Sequence, residues 1–324
     1  ILLTGGAGFI GFHVAKKLLE FGKKVAIMDN FSDYYDISLK KARVDELKKT
    51  AQKNRQDGSS LSVYKADVCK LKVVEKILKD HGITKICHLA AQPGVLYSLK
   101  NPFTYEKANV LGTLTVLEAA RHNGADIVFA SSSSVYGANT KIPFSESDKT
   151  DSPLSLYAAT KKSAELMAYS YHSLYGIRCT GLRLFTAYGE FGRLDMAYFK
   201  FTKAIFAGDE IALYNNGNMK RDFTYVGDIV PAVITALEKQ YDYEIFNLGN
   251  SKPIELKYLL ACIEKECSKK AKLKFAEKQP GEVETTFADI SKARRMLNFD
   301  PKTSIEEGIR IFVRWYKDYY KITN

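Results

Sequence analysis

The stretch ILLTGGAGFIGFHVAKKLLEFGKKVAIMDN, Ile1 to Asn30, decides the fold. A short apolar strand runs into Gly5, Gly8 and Gly11 at three-residue spacing, an amphipathic helix follows, and a second apolar strand ends at Asp29. This is a βαβ unit. Its glycines let the backbone amides around Phe9, Ile10 and Gly11 approach a pyrophosphate at the helix N-terminus, where unpaired N–H groups and the helix dipole favour negative charge. Tight strand-to-helix turns also select glycine. The triplet therefore takes its meaning from the strand before it, the helix after it and the acid 18 positions beyond Gly11. Asp29, followed by Asn30, would accept hydrogen bonds from an adenosine ribose, and its charge would repel a 2′-phosphate. No arginine stands at positions 30–33. The cofactor expected is NAD rather than NADP.

Outward from this unit, strands are predicted at Leu61 to Tyr64, Lys85 to Leu89 and Ile127 to Phe129, with helical stretches between them. The class is α/β, a Rossmann-type doubly wound parallel sheet. Asp67 and Val68, just past one strand, stand where an adenine would be bracketed, and Leu89, Ala90 and Ala91 offer small side chains against the cofactor. Asn109, inside the helical stretch TYEKANVLGTLTVLEAA, is either a backbone clamp near the site or a solvated polar residue.

Composition narrows the partners. The chain has 324 residues, 46% of them apolar, which is enough for one large core or two smaller ones. The formal net charge is +11, but the lysines are spread in solvated pairs such as Lys16-Lys17 and Lys161-Lys162. That distribution argues against nucleic acid and suits a small anionic substrate. Five cysteines with no CxxC pair and no adjoining histidine cluster read as reduced and structural, so no metal is expected. His88 and His172 read as structural too. No run approaches 18 apolar residues, so no membrane span or signal peptide is predicted and the expected location is cytoplasmic.

YAATK places Tyr157 and Lys161 at i and i+4, on one face of a helix. A free tyrosine, with a pKa of about 10, is a poor base at neutral pH. A lysine ammonium one turn away, together with an oxidised nicotinamide, would stabilise the phenolate. Upstream, ASSSSVYG sets four hydroxyls at the end of an apolar run. With the glycine turn, the serine-rich strand end and the Tyr/Lys pair in this order, the chain resembles the extended short-chain dehydrogenases of the nucleotide-sugar epimerase and dehydratase group. Later stretches extend the resemblance over the whole chain: GLRLFTAYG at 181–189, KRDFTYVGDIV at 220–230, FNLGN at 246–250 and QPGEV at 279–283.

The resemblance implies that Ser132 is the catalytic hydroxyl beside Tyr157 and that Asn109 supports the site. It implies that Arg221 and Glu282 hold the diphosphate and ribose of the substrate, with Tyr214 near the uracil. The plainer role for Arg221 is an ion pair with Asp222. It further implies an NAD-binding domain over 1–180 and a mainly nucleotide-sugar-binding lobe over 181–324, the chain crossing between them. A homodimer packed through helices 103–122 and 157–175 is also implied.

Similar 4,6-dehydratases follow the catalytic hydroxyl with an aspartate and a glutamate, and similar uronate decarboxylases have a glutamate at the second position. Here those positions are Ser133 and Ser134. Without a carboxylate at either place, the reaction expected is reversible oxidation at C4 of a UDP-sugar, which is 4-epimerisation. Thr186, Arg193 and DNFSDYYD at 29–36 resemble the UDP-glucuronate 4-epimerases. In such enzymes hydroxyl residues cradle the sugar carboxylate; the matching residues are Ser132, Ser133, Ser134 and Thr186, with Arg193 anchoring the diphosphate. A 4-keto uronate is a β-keto acid, and neutral donors fixing its carboxylate would suppress loss of CO2 without supplying a proton. Alternatively, Ser131 and Ser133 simply satisfy backbone groups at the strand end. Leu96 departs from the subgroup, which often has arginine there. A UDP-glucose or UDP-N-acetylglucosamine 4-epimerase is the neighbouring reading and a non-catalytic NAD-binding scaffold a more distant one; a scaffold has no need of Ser132, Tyr157 and Lys161 together.

Overall fold

The computed structural model describes residues 1–276 and 285–322. Its first half alternates strand and helix: β1 (Leu2–Thr4), α1 (Phe9–Glu20), β2 (Lys24–Asp29), α2 (Ser38–Lys53), β3 (Ser60–Lys65), α3 (Leu71–Asp80) and β4 (Lys85–His88). Then come α4 (Val95–Lys100), α5 (Pro102–Tyr105), a π-helical turn over Glu106–Leu111, α6 (Gly112–Asn123), β5 (Asp126–Ser132), α7 (Leu156–Tyr175) and β6 (Cys179–Leu184). The second half holds β7 (Thr186–Tyr188), α8 (Ala197–Ala207), β8 (Glu210–Tyr214), β9 (Lys220–Tyr225), α9 (Val226–Lys239) and β10 (Tyr243–Leu248). It continues with β11 (Pro253–Glu255), α10 (Leu256–Cys267), β12 (Lys272–Ala276), β13 (Thr285–Thr286), α11 (Ser291–Leu297) and α12 (Ile305–Tyr320).

Seven strands form one parallel sheet in the order β10-β6-β5-β4-β1-β2-β3. Successive strand residues face opposite sides, and both sides here are apolar. Leu3, Val25 and Ile27 pack with α1 and α9, whereas Leu2, Ala26 and Met28 pack with α3, α6 and α7. Continuous apolar strands covered on both faces are what a parallel sheet requires. A third core joins α8, α10 and α12 beneath a small sheet in which β9 pairs with β7, β11 and β13. β10, although late in the sequence, completes the large sheet beside β6.

The predicted strand Ile127 to Phe129 is longer in the fold. Pairing with β6 carries β5 on through Ser131 and Ser132, opposite Arg183 and Leu184. Ser133 and Ser134 then open a 3₁₀ turn, Ser133–Tyr136. The long helix expected from 103 is instead α5, the π-helical turn and α6. Such π-register segments cluster at functional sites.

Candidate active site

The order of the large sheet reverses between β1 and β4, and in open α/β sheets ligands bind outside the strand C-termini at that reversal. A cavity of about 750 Å³ lies there. Gly5 stands at its floor with φ +69°, and a β-carbon on it would lie 2.7 Å from the Ala90 nitrogen. One on Gly11 would lie 2.3 Å from the Gly5 carbonyl oxygen, so the turn closes only on glycine at both places. Helix α1 starts from Gly8 with no side-chain cap and no acid in its first turn. Phe9, Ile10, Asn30, Asp67, Val68, Leu89, Ala90 and Ala91 line the same cavity.

Asp29 also lines it and is only 7% exposed. Its Oδ1 accepts the Phe31 amide at 2.8 Å and the Lys40 ammonium at 3.0 Å. Lys40, from α2, is itself buried and lines the cavity. Sequence reading missed it, because one lysine of a lysine-rich helix carries no mark of facing inward.

At the other end the cavity gathers Ser132, Ser133, Ser134, Tyr157, Lys161, Thr186 and Arg193. Helix α7 presents Tyr157 and Lys161, and the Ser155 hydroxyl caps its start by accepting the Ala158 amide at 3.1 Å. Burial pushes the Tyr157 phenol up, while a hydrogen bond with Ser132 and the Arg193 charge pull it down. Lys161, which the sequence cast as the residue that lowers the phenol, donates its ammonium to the Ala130 carbonyl at 2.9 Å. Burial lowers its pKa to about 8.

The serines divide their work. Ser131 donates to Glu165 Oε1 at 2.6 Å, and Arg183 engages both Glu165 oxygens at 2.8 and 2.9 Å. Ser131 therefore serves a buried ion pair behind the cavity wall rather than a backbone group. Ser132 Oγ accepts the Ser134 amide at 3.2 Å. Arg193 is partly buried and forks onto Asp195, with Nε and Nη2 at 3.0 and 2.5 Å.

Asn109 does not line the cavity. It is 2% exposed, and its amide accepts from the Gln92 nitrogen at 2.7 Å and donates to the Gln92 carbonyl and the Thr160 hydroxyl. It is a clamp between the loop after β4 and α7. Tyr214 and Arg221 sit on the small lobe, at β8 and β9, outside the cavity lining. Asp222 does not pair with Arg221; its carboxylate accepts the amides of Asn250, Ser251 and Ala288. Glu282 lies outside the described residues. Leu96 is 44% exposed and does not line the cavity, so its difference from arginine falls outside this site.

Known proteins share this frame. The family model described as GDP-mannose 4,6 dehydratase matches residues 2–312. An uncharacterized protein of Methanocaldococcus jannaschii is 51% identical over 319 residues, 98% of this chain and 95% of its own. A UDP-glucuronate 4-epimerase of Thermodesulfobacterium geofontis is 42% identical over 319 residues, covering 98% of this chain and 96% of its own. Among solved structures, the UDP-glucuronic acid 4-epimerase of Bacillus cereus in complex with UDP-glucuronic acid and NAD superimposes with a TM-score of 0.90 at 32% identity. The match covers 98% of this chain and 99% of that one.

Proposed function

The chain belongs to the GDP-mannose 4,6-dehydratase family, and within it we propose that the protein is an isomerase, an NAD-dependent UDP-glucuronate 4-epimerase producing UDP-galacturonate. The observation that carries this reading is one cavity holding Ser132, Tyr157 and Lys161 with hydroxyls at Ser133, Ser134 and Thr186 and no carboxylate at 133 or 134. The full-length likeness to a UDP-glucuronate 4-epimerase supports the substrate.

The residues fit NAD. The glycine turn has no β-carbon where a pyrophosphate backbone cradle would be filled, the start of α1 is uncapped, and Asp29 takes both protein hydrogen bonds on Oδ1, leaving Oδ2 for ribose hydroxyls. Bound NAD would supply reversible oxidation and reduction at C4 of the sugar. Tyr157 takes the 4-hydroxyl proton and returns it after the 4-keto sugar has turned over in the cavity. Ser132 shares that proton's path and steadies the phenolate. Lys161 adds a cation held by Ala130. Ser133, Ser134 and Thr186 hold the carboxylate with neutral donors, and Arg193 holds an anionic group of the substrate. Neither serine can act as a carboxylic acid, so the β-keto acid is not handed a proton for decarboxylation.

Tyr214, Arg221 and Glu282 are assigned to the UDP end on the lobe over 181–324, with 1–180 carrying NAD. A homodimer through helices 103–122 and 157–175 accounts for Phe103, Leu166 and Leu174, which are 84%, 60% and 69% exposed there. Among the described residues no helix is long and apolar enough to cross a membrane, and the unpaired cysteines suit the cytoplasm.

The test is incubation of purified protein, without added NAD, with UDP-glucuronate and separately with UDP-glucose, following the anomeric and C4 protons by NMR. Epimerisation of UDP-glucuronate with the carboxylate retained is the expected result. Turnover of UDP-glucose alone would defeat the uronate assignment, and a pentose product would defeat the cradle.

A further inference from the structure

Three loops meet over the reacting end of the cavity, and one carboxylate joins two of them. Asp195, in the segment after β7, accepts both Nε and Nη2 of Arg193. Tyr34, in the segment between β2 and α2, donates its hydroxyl to the Oδ2 atom of Asp195 at 3.1 Å across 161 residues of sequence. The third loop, after β4, closes against this pair at Gly94. Its φ is +98°, and a β-carbon there would stand 3.1 Å from the Tyr34 hydroxyl and 3.9 Å from Arg193 Nη2. Tyr34, Arg193 and Gly94 all line the cavity.

A guanidinium gripped on two nitrogens has its plane fixed and only its remaining N–H groups free. Its charge is also largely offset by its partner. Both consequences matter at Tyr157, which is faced by Ser132 from β5, by the Tyr105 ring at 6.1 Å from α5, and by Arg193 and Asp195, with Lys161 one turn further along its own helix. Tyr34 makes no direct contact with it, being linked through Asp195 and, in ring contacts of 4.8 and 6.2 Å, through Tyr97 and Tyr105. Lys161 is held on Ala130. Among these neighbours Arg193 favours the phenolate and Asp195 opposes it.

We propose that Asp195 is a positioning residue: braced by Tyr34, it fixes the Arg193 guanidinium in the sugar cavity and offsets that guanidinium's charge at Tyr157. The proposal rests on the 4-epimerase reading and adds a role for Tyr34, which lines the cavity, and for Asp195, which stands behind it. It gives the Tyr34 loop, which begins next to Asp29, a hold through Asp195 on the substrate-binding arginine.

The experiment compares pH profiles of kcat and KM for wild type, Asp195→Asn and Tyr34→Phe, using whichever UDP-sugar the wild type converts. The phenolate is the working form, so activity is lost as pH falls through the Tyr157 pKa. Asp195→Asn removes the opposing anion, and the acid limb is expected to move about one pH unit lower while KM rises about tenfold. Tyr34→Phe keeps both charges; its acid limb should stay in place while KM rises about threefold to tenfold. An unmoved limb in an Asp195→Asn protein that melts like the wild type would overturn the proposal, as would a wild-type KM in Tyr34→Phe. Should Asp195→Asn fail to fold, Tyr34→Phe decides alone. Wild type that turns over only UDP-glucose defeats the uronate reading and leaves the brace to be scored on UDP-glucose. Wild type that turns over none of UDP-glucuronate, UDP-glucose and UDP-N-acetylglucosamine defeats the enzyme reading, and calorimetric binding of UDP-glucuronate then decides the brace, equal affinities for wild type and Tyr34→Phe overturning it.

Discussion

On the proposed reading Tyr157 is the proton acceptor and Ser134 a neutral donor to the sugar carboxylate, and each role has its own test. Replacing Tyr157 by phenylalanine removes only the proton acceptor, so kcat should fall about a hundredfold or more while NAD still copurifies, measured by turnover and by the absorbance of released cofactor. Ser134→Glu asks the opposite question. A carboxyl group beside the sugar's own carboxylate removes one neutral donor and supplies a proton, so a pentose product should appear by NMR; continued clean epimerisation would show that the serines do not guard the intermediate. The meeting of both residues in one cavity was legible in the sequence, because the glycine turn, the serine run and the Tyr/Lys spacing are local patterns. Lys40 and Asp195 were not. Lys40 matters because Asp29 is 11 residues away on another element, and Asp195 because Tyr34 comes from a loop 161 residues away in the chain. Spacing along a chain does not encode such meetings. Lys40 also means that Asp29 does not stand alone as a bare charge, which was the basis of the sequence argument against a 2′-phosphate.

Helix α7 must keep its register against β5 for Tyr157 to meet Ser132, and the element is held by a polar bolt. Glu165, two turns past Tyr157, accepts Ser131 from β5 and the Nε–Nη2 edge of Arg183 from β6. Arg183 also donates to the Tyr136 hydroxyl at 3.0 Å and lies 4.9 Å from the centre of its ring. Burial works against both charges, but the pairing wins, holding the Glu165 carboxyl below and the Arg183 guanidinium above their usual ranges. Glu165→Ala strands a buried guanidinium, and we expect a loss of about 3–5 kcal/mol in urea unfolding. Glu165→Gln, which keeps the shape and some hydrogen bonds, should lose less. At this scale the resemblance placed the helix at 157–175, within a residue of α7 at Leu156–Tyr175. It did not indicate the break at Glu106–Leu111, because the π-register follows from how Asn109 clamps Gln92 and Thr160, contacts 17 and 51 residues away.

Over the whole molecule, the cofactor turn and the Arg193 loop are stitched together by side-chain N–H groups on carbonyls. Arg43, fully buried, donates to Ala7 in the glycine turn and to Phe191 and Gly192 ahead of Arg193, and His13 from α1 bonds the Glu190 carbonyl at 2.8 Å. The sequence could announce the glycine turn and the later motifs separately, but the seam between them is built from residues whose types carry no motif. Two histidines make this architecture sensitive to acid. Burial lowers His88, which lies between Thr4 and Thr113, from the usual 6.5 to about 3, and lowers His13 to about 4. Below pH 6.5 the unfolded chain takes up protons at both sites while the folded protein does not, so unfolding is favoured progressively as pH falls toward those values. At pH 5 the loss relative to pH 7.5 should be about 2 kcal/mol for His88 and less for His13, which is partly exposed. Urea midpoints at the two pH values measure it. His13→Gln keeps a donor for the Glu190 carbonyl but cannot take up a proton in the unfolded chain, so the gap between its two midpoints should be narrower than the wild type's. An unchanged gap would mean that the acid sensitivity lies in His88 and the buried carboxylates, and that the seam at Glu190 holds without regard to the charge on His13.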